Sequence, residues 1–105
     1  MSLIIPLTVK IICEEESQDA PFVAYTPELD VASCGPTEEK ARSNLFEAVA
    51  IVLEEAEKHG TLNAVLYEAG FRRVNKHWRP PRVSFEPFVF ELSKERVSLY
   101  SRSLV

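Results

Sequence analysis

The chain has no surplus of positive charge: 12 Lys and Arg stand against 16 Asp and Glu, for a formal net charge of -4. Coating nucleic acid without regard to sequence needs the opposite balance, because phosphate contacts come from Lys and Arg. An acidic balance instead fits steering toward a basic partner. No run of about 18 apolar residues is present, so nothing in the sequence reads as a membrane span. The apolar start, MSLIIPLTVKII, lacks a basic leading region and a small-residue cleavage site. It alternates as a strand does, which sets a secretory signal aside. Cys13 and Cys34 are too few for a disulfide framework. They read as reduced thiols in or near the core of a cytoplasmic protein.

What is present is enough for one small domain over residues 1–105, with 46% hydrophobic residues to form a core. Leu3, Ile5, Leu7, Val9 and Ile11 alternate with polar positions, predicting a half-buried strand over 3–12. Pro6 cannot donate to a ladder, so that strand should start at a sheet edge. The polar run Glu14–Asp19 reads as a hairpin loop, followed by strands at Phe22–Thr26 and Leu29–Cys34. Gly35-Pro36 then ends the sheet, and Thr37 is placed to cap a helix whose first turn holds Glu38 and Glu39. That helix should run to about Lys58 and stop at Gly60. Ala41, Leu45, Ala48, Val49, Val52 and Ala56 form its apolar stripe. In 45–53 only Glu47 is polar, a face too wide for a helix that touches a single layer.

Thr61 can cap a second helix through Ala69, ended by Gly70. Phe71–Trp78 and 83–92 read as two further strands joined by the stiff Arg79-Pro80-Pro81-Arg82. The apolar phase of 83–92 shifts between Phe85 and Phe88, which predicts a bulge at Pro87. The segment from Ser93, with Val97, Leu99 and Tyr100, carries no assignable pattern. The predicted class is α+β: a small antiparallel sheet in the order β-β-β-α-α-β-β, with one long helix packed on it. A sheet with helices on one face leaves the other uncovered. Together with Phe85, Phe88 and Phe90, this predicts a homodimer or larger assembly held by apolar surface.

Tyr25-Thr26-Pro27-Glu28-Leu29, a strand, and then Gly35-Pro36-Thr37-Glu38-Glu39-Lys40-Ala41-Arg42-Ser43-Asn44-Leu45-Phe46-Glu47-Ala48 resemble the HicB-like antitoxin family. That family reads Y-x-P-E-L, a short strand, then G-x-T-x-E-E-A-x-x-N-x-x-E-A and an apolar helix. Tyr25, Pro27, Glu28, Leu29, Gly35, Thr37, Asn44, Glu47 and Ala48 match, whereas Glu39 and Ala41 fall out of step with each other. The resemblance covers about residues 4–58. It implies a truncated RNase H-like fold, a three-stranded meander crossed by a helix, and a protein that sequesters a small basic toxin ribonuclease. Many members carry a further DNA-binding segment. Here one short helix and two strands follow Gly60, which puts binding of operator DNA in doubt. Each matched residue also has a plain structural role: Pro-Glu for a turn, Gly35 to end a strand, Thr37 as cap, Asn44 and Glu47 toward backbone or water.

RNase H-type catalysis needs carboxylates converging on two metal ions about 4 Å apart. Asp19 and Asp30 are the only aspartates, one in a loop and one in a strand, while Glu14, Glu15 and Glu16 are consecutive and point alternately to opposite sides. His59, at a helix C-terminus, and His77, on a strand, have no Cys or His at ligand spacing. Cys34 has no paired histidine in view. No catalytic residue, cofactor or metal is therefore expected, and an enzyme ranks last.

The stretch 72–82 is different, since five of its eleven residues are Arg or Lys and Trp78 adds a stacking surface. Arg72, Arg73, Lys76, Arg79 and Arg82 with an aromatic are the footprint of a nucleic-acid interface. The structural alternative is a strand with Val74 and Trp78 inward and its arginines paired with glutamates. The entry Leu66-x-x-Ala69-Gly70-Phe71-Arg72-Arg73-Val74 is also faintly similar to the helix-to-strand passage of the family's toxin, a double-stranded-RNA-binding-like fold. Lys76-His77-Trp78 lacks that toxin's glycine and serine. The first expectation is thus a non-catalytic binding module with Phe85, Phe88, Phe90 and Trp78 in partner contact. The alternative is nucleic-acid binding through the basic segment.

Overall fold

A computed structural model describes residues 3–93. Strands β1 (Lys10–Cys13), β2 (Phe22–Thr26) and β3 (Val31–Gly35) form an antiparallel meander in the order β1-β2-β3. Helix α1 (Glu38–Lys58) crosses one face, α2 (Leu62–Glu68) follows, and β4 (Arg72–Val74) pairs with β5 (His77–Arg79) in a separate two-stranded sheet. The class is α+β in the expected order. Among the described residues no helix is long and apolar enough to cross a membrane.

Helix α1 begins where the sequence places it. The Thr37 side chain accepts the Lys40 N–H at 3.0 Å, and Glu38 and Glu39 occupy the first turn. Ala41, Leu45 and Val49 pack on Ala24 at the centre of the sheet, joined by Val9, Ile11, Phe22, Leu29, Val31 and Leu53. Gly35 is required by the way the helix leaves the sheet. A Cβ there would stand 2.7 Å from the Ala41 nitrogen and 2.9 Å from the Lys40 carbonyl carbon, both backbone atoms that cannot step aside. Asn44 ties the same junction from the helix side, donating from Nδ2 to the Cys34 carbonyl at 2.8 Å.

A second cluster gathers Leu66, Phe71 and Trp78, with Ile5, Leu7, Leu53, Leu62 and Ala69 around it. Leu7 and Leu53 touch both clusters and so couple them. Full burial of a Leu or Phe stabilises by ~1.5–3 kcal/mol, so Leu45, Leu66 and Phe71 anchor the two clusters. Glu28 secures the N-terminal segment that crosses between them. Its carboxylate, almost out of solvent, accepts the Thr8 N–H at 3.0 and 3.1 Å, the Thr8 hydroxyl at 2.6 Å and the Thr26 hydroxyl at 3.1 Å.

Several expectations are corrected. The first strand is Lys10–Cys13 and not 3–12: Pro6 has no N–H, and the Thr8 N–H goes to the Glu28 carboxylate, so no ladder forms there. The alternation holds from Ile5 to Ile11, since Ile5, Leu7, Val9 and Ile11 all pack inward, but it fails at Leu3, which is exposed. Asp30 is not in a strand but in the turn before β3, with φ 55°. Phe71–Trp78 is not one strand; it folds back at Asn75 (φ 58°) and Lys76 to make β4 and β5. Residues 83–92 form no strand and no bulge among the described residues, because a bulge needs a ladder and this segment has no partner. Both cysteines are exposed instead of near the core: Cys34 lies on the face of β3 away from the helix, and Cys13 at the end of β1. Val97, Leu99 and Tyr100 lie outside the described residues.

Three outcomes follow. Thr37→Ala should lower the unfolding free energy by about 1 kcal/mol in urea; a loss below about 0.3 kcal/mol would exclude the cap. Gly35→Ala should cost about 2 kcal/mol or more by overpacking against backbone, and an unchanged midpoint would contradict the close approach. Glu28 is the third. Burial pushes its carboxyl up, but hydrogen bonds from the Thr8 hydroxyl, the backbone N–H groups of Glu28 and Thr8 and the Thr26 hydroxyl outweigh burial and hold it below its ordinary 4.5. A depressed folded value means that its stabilisation is complete above 4.5 and is lost as pH falls through that lower value. Glu28→Gln should therefore cost about 1.5–3 kcal/mol at neutral pH. The difference between the two proteins should shrink on acidification below 4.5.

Candidate functional site

Hairpin β4–β5 concentrates the basic residues. Its register places Arg72 opposite Arg79, Arg73 opposite Trp78 and Val74 opposite His77. Directly opposed residues share a face, so Arg72, Val74, His77 and Arg79 lie together on the outer one, and all four are exposed. Two arginines facing each other across a ladder are destabilising unless something anionic lies between them. An open cleft of about 570 Å³ is lined by Arg72, Arg79 and Arg82 with Gly70, Pro80 and Pro81.

The inner face of the hairpin belongs to the core. Trp78 is 4% exposed, packed with Leu66 and Phe71, and edge-on to Tyr67 at 5.5 Å between ring centroids. The expectation of Trp78 as a stacking surface or partner contact is corrected: its ring is spent in packing, and the structural alternative of an inward Trp78 holds. The same alternative fails for Val74, which is exposed. The Trp78 indole N–H meets no acceptor among the described residues. Arg73 lies over the Trp78 ring at 5.3 Å, and Arg72 over Tyr67 at 5.5 Å while donating to the Tyr67 and Phe71 carbonyls at 3.1 and 2.7 Å.

The arginines do not pair with glutamates among the described residues. Among the described residues the ion pairs are Lys58 with Glu55 and, through a ring that must first be protonated, His59 with Glu55. Arg73 and Lys76 are thus not directed into the cleft that joins Arg72, Arg79 and Arg82. The five basic residues divide into a cleft triad and two outliers. His77 is exposed beside Arg72 and Arg79, a juxtaposition that a strand spanning Phe71–Trp78 would not have produced.

Phe85, Phe88 and Phe90 stand elsewhere, on an extended arm that follows Pro81; Phe88 is 84% exposed. The structure does not bring them to Trp78.

The apolar run 45–53, too wide for a helix on one layer, also opens a surface of its own. With Ala41, Leu45, Val49 and Ala56 buried, α1 turns Phe46, Ala50 and Ile51 outward among Glu47, Glu54 and Glu55. Ile51 is 63% exposed. The near-continuous apolar run 45–53 carried the signal, which reads as a helix with two apolar sides.

The acidic residues do not converge. Asp30 accepts the Tyr25 hydroxyl at 2.8 Å, and that hydrogen bond, with slight desolvation and the Asp30 charge behind it, raises the phenol above its ordinary value. Among the described residues no group of three His, Cys, Asp or Glu is placed to hold a metal ion. Comparison with protein-family models, with curated proteins and with solved structures finds no match to this chain.

Replacing Arg73 by Ala should leave any phosphate binding at the cleft nearly unchanged, whereas Arg79→Ala should abolish it. Equal losses in a titration with a short RNA would show that the triad is not a unit.

Proposed function

We propose that this chain is a non-catalytic binding module of the HicB-like antitoxin type, which captures a small basic ribonuclease. The observation that carries this reading is the outward face of α1: apolar Phe46, Ala50 and Ile51 among the carboxylates of Glu47, Glu54 and Glu55. Apolar contacts give an interface its affinity, and charges beside them give it orientation and speed of encounter. On α1, Glu47 and Glu54 lie between Phe46 and Ile51 around the helix, so the partner's complementary face is rich in Lys and Arg. The meander and long helix on which this face stands have the order that the resemblance implies, and the formal charge of -4 favours the same kind of partner.

If the reading frame beside this chain's encodes a small basic protein, titration calorimetry against that protein tests the proposal. Phe46→Asp and Ile51→Asp should each weaken binding by about tenfold or more. Glu47→Lys with Glu54→Lys should slow association and flatten its salt dependence. A partner that binds all these variants as tightly as the wild type rules this face out, and failure of such a protein to bind at all ends the antitoxin reading.

The cleft of Arg72, Arg79 and Arg82 favours a second reading, a module that binds nucleic acid. Its support is the opposed Arg72 and Arg79, neither of which meets a carboxylate among the described residues. Three phosphate contacts to single-stranded RNA give a log–log salt slope of about −2. A flat profile excludes it.

A further inference from the structure

Besides the outward face of α1, two apolar surfaces are uncovered among the described residues. The first is the arm. From Pro80 to Ser93 the backbone makes no turn or bend, holds no left-handed residue and joins no strand among the described residues. Its first half stays near β1: Pro80–Val83 face Pro6, Leu7 and Thr8 across a cleft, and Phe85 receives the Lys10 ammonium at 5.6 Å. Beyond Pro87 it departs. Phe88, Val89, Phe90 and Leu92 are all exposed, Val89 at 93%. In an extended chain Phe88, Phe90 and Leu92 fall on one side.

The second surface is the face of the three-stranded sheet turned away from α1. Since Ile11, Ala24 and Ser33 share the helix side, the register puts Lys10, Ile12, Val23, Tyr25, Ala32 and Cys34 on the other. Ile12, Ala32 and Cys34 are exposed there. Lys10 supplies the charge on this face, at its rim, while Glu86 and Glu91 flank the phenylalanines of the arm.

We infer that the occupant of each surface is the other, on a second copy of the chain: residues 88–92 of one molecule lie on the open sheet face of its partner, and reciprocally. A chain that carries both an extended apolar strand and an uncovered apolar face meets its complement in itself, and a two-fold exchange covers each surface twice. The areas suffice. A phenylalanine buries ~150–250 Å², so two arms with their Phe88, Phe90 and Leu92, and the two faces beneath them, approach the ~1,200–2,000 Å² of a stable interface. Left bare, the arm alone presents a few hundred Å² of apolar surface, the size of the largest patch on a typical monomer and often a binding site. After Pro87 the chain's own arm leaves Phe88 84% and Val89 93% exposed instead of packing on its own sheet, which favours exchange over self-cover. This pairing uses the side of the sheet opposite α1, so it stands or falls apart from the capture of a basic protein.

Cys34 makes the pairing measurable, because it lies on the face to be covered. Sedimentation of the full chain at low-micromolar concentration should give a dimer. Phe88→Asp on the arm and Ala32→Glu on the face, both exposed positions, should each weaken it by about thirtyfold or more, with far-UV circular dichroism unchanged. In a Cys13→Ser background, thiol labelling of Cys34 should be slow in the dimer and fast once Phe88→Asp is added. With Phe90→Cys in that background, oxidation should join the introduced thiol of one copy to Cys34 of the other, giving a covalent dimer. A monomer at high-micromolar concentration overturns the inference, as does a dimer that neither substitution moves. A crosslink within one chain overturns it too, since the arm would then cover its own sheet.

Discussion

The Glu28 carboxylate is the hub on which the order of this domain rests. It gathers the Thr8 N–H, the Thr8 hydroxyl and the Thr26 hydroxyl, and so fixes the N-terminal segment against the turn that leads to β3. Burying an ionised carboxylate is unfavourable unless hydrogen bonds replace its water, and here they do. With Thr8 held, Leu7 comes to lie between the two core clusters and Ile5 enters the second. The first ladder residue is then Lys10, because the preceding backbone already has its partner. Without Glu28, the cluster of Leu66, Phe71 and Trp78 would lose the segment that seals it.

A second constraint sets what remains exposed. Gly35 lets the chain pass from β3 into α1 with backbone nearly touching backbone, and Asn44 holds the helix to the Cys34 carbonyl. The helix is thereby pinned to one face of the sheet, and its length carries Val49 and Ala56 along the core while Phe46 and Ile51 are turned to solvent. A two-layer arrangement fixed this tightly has two outer surfaces, one of helix and one of sheet, and in this chain both carry apolar residues.

Much of this was legible in the sequence. Period-2 alternation found the inward side chains of 5–11, and Thr37, Gly60 and Gly70 marked the ends of helices correctly. The family-like residues Glu28, Gly35 and Asn44 were visible, but their work was not, since each acts on a residue distant in sequence: Thr8, Ala41 and Cys34. Periodicity reports which side chains point inward and is silent on whether a backbone finds a partner. That is why 83–92 read as a strand although nothing among the described residues pairs with it, and why 3–9 read as a strand although Pro6 has no N–H and the Thr8 N–H was claimed by Glu28. In the basic segment the hairpin turn at Asn75-Lys76 carried too weak a signal to split Phe71–Trp78. The grouping of Arg72 with Arg79 was hidden as a result, and Trp78 was credited to the surface.

The prolines at 80, 81 and 87 bear on the thermodynamics of the arm they interrupt. Each fixes one backbone dihedral and restricts the residue before it to extended conformations. Part of the disorder that residues 79–87 would surrender on docking is absent from the start. Ordering one residue's backbone costs about 1–2 kcal/mol in a flexible segment, and a pre-extended one forfeits less. Residues 88–92 are thus presented from a stiffened base, which lowers part of the cost of fixing them on a surface.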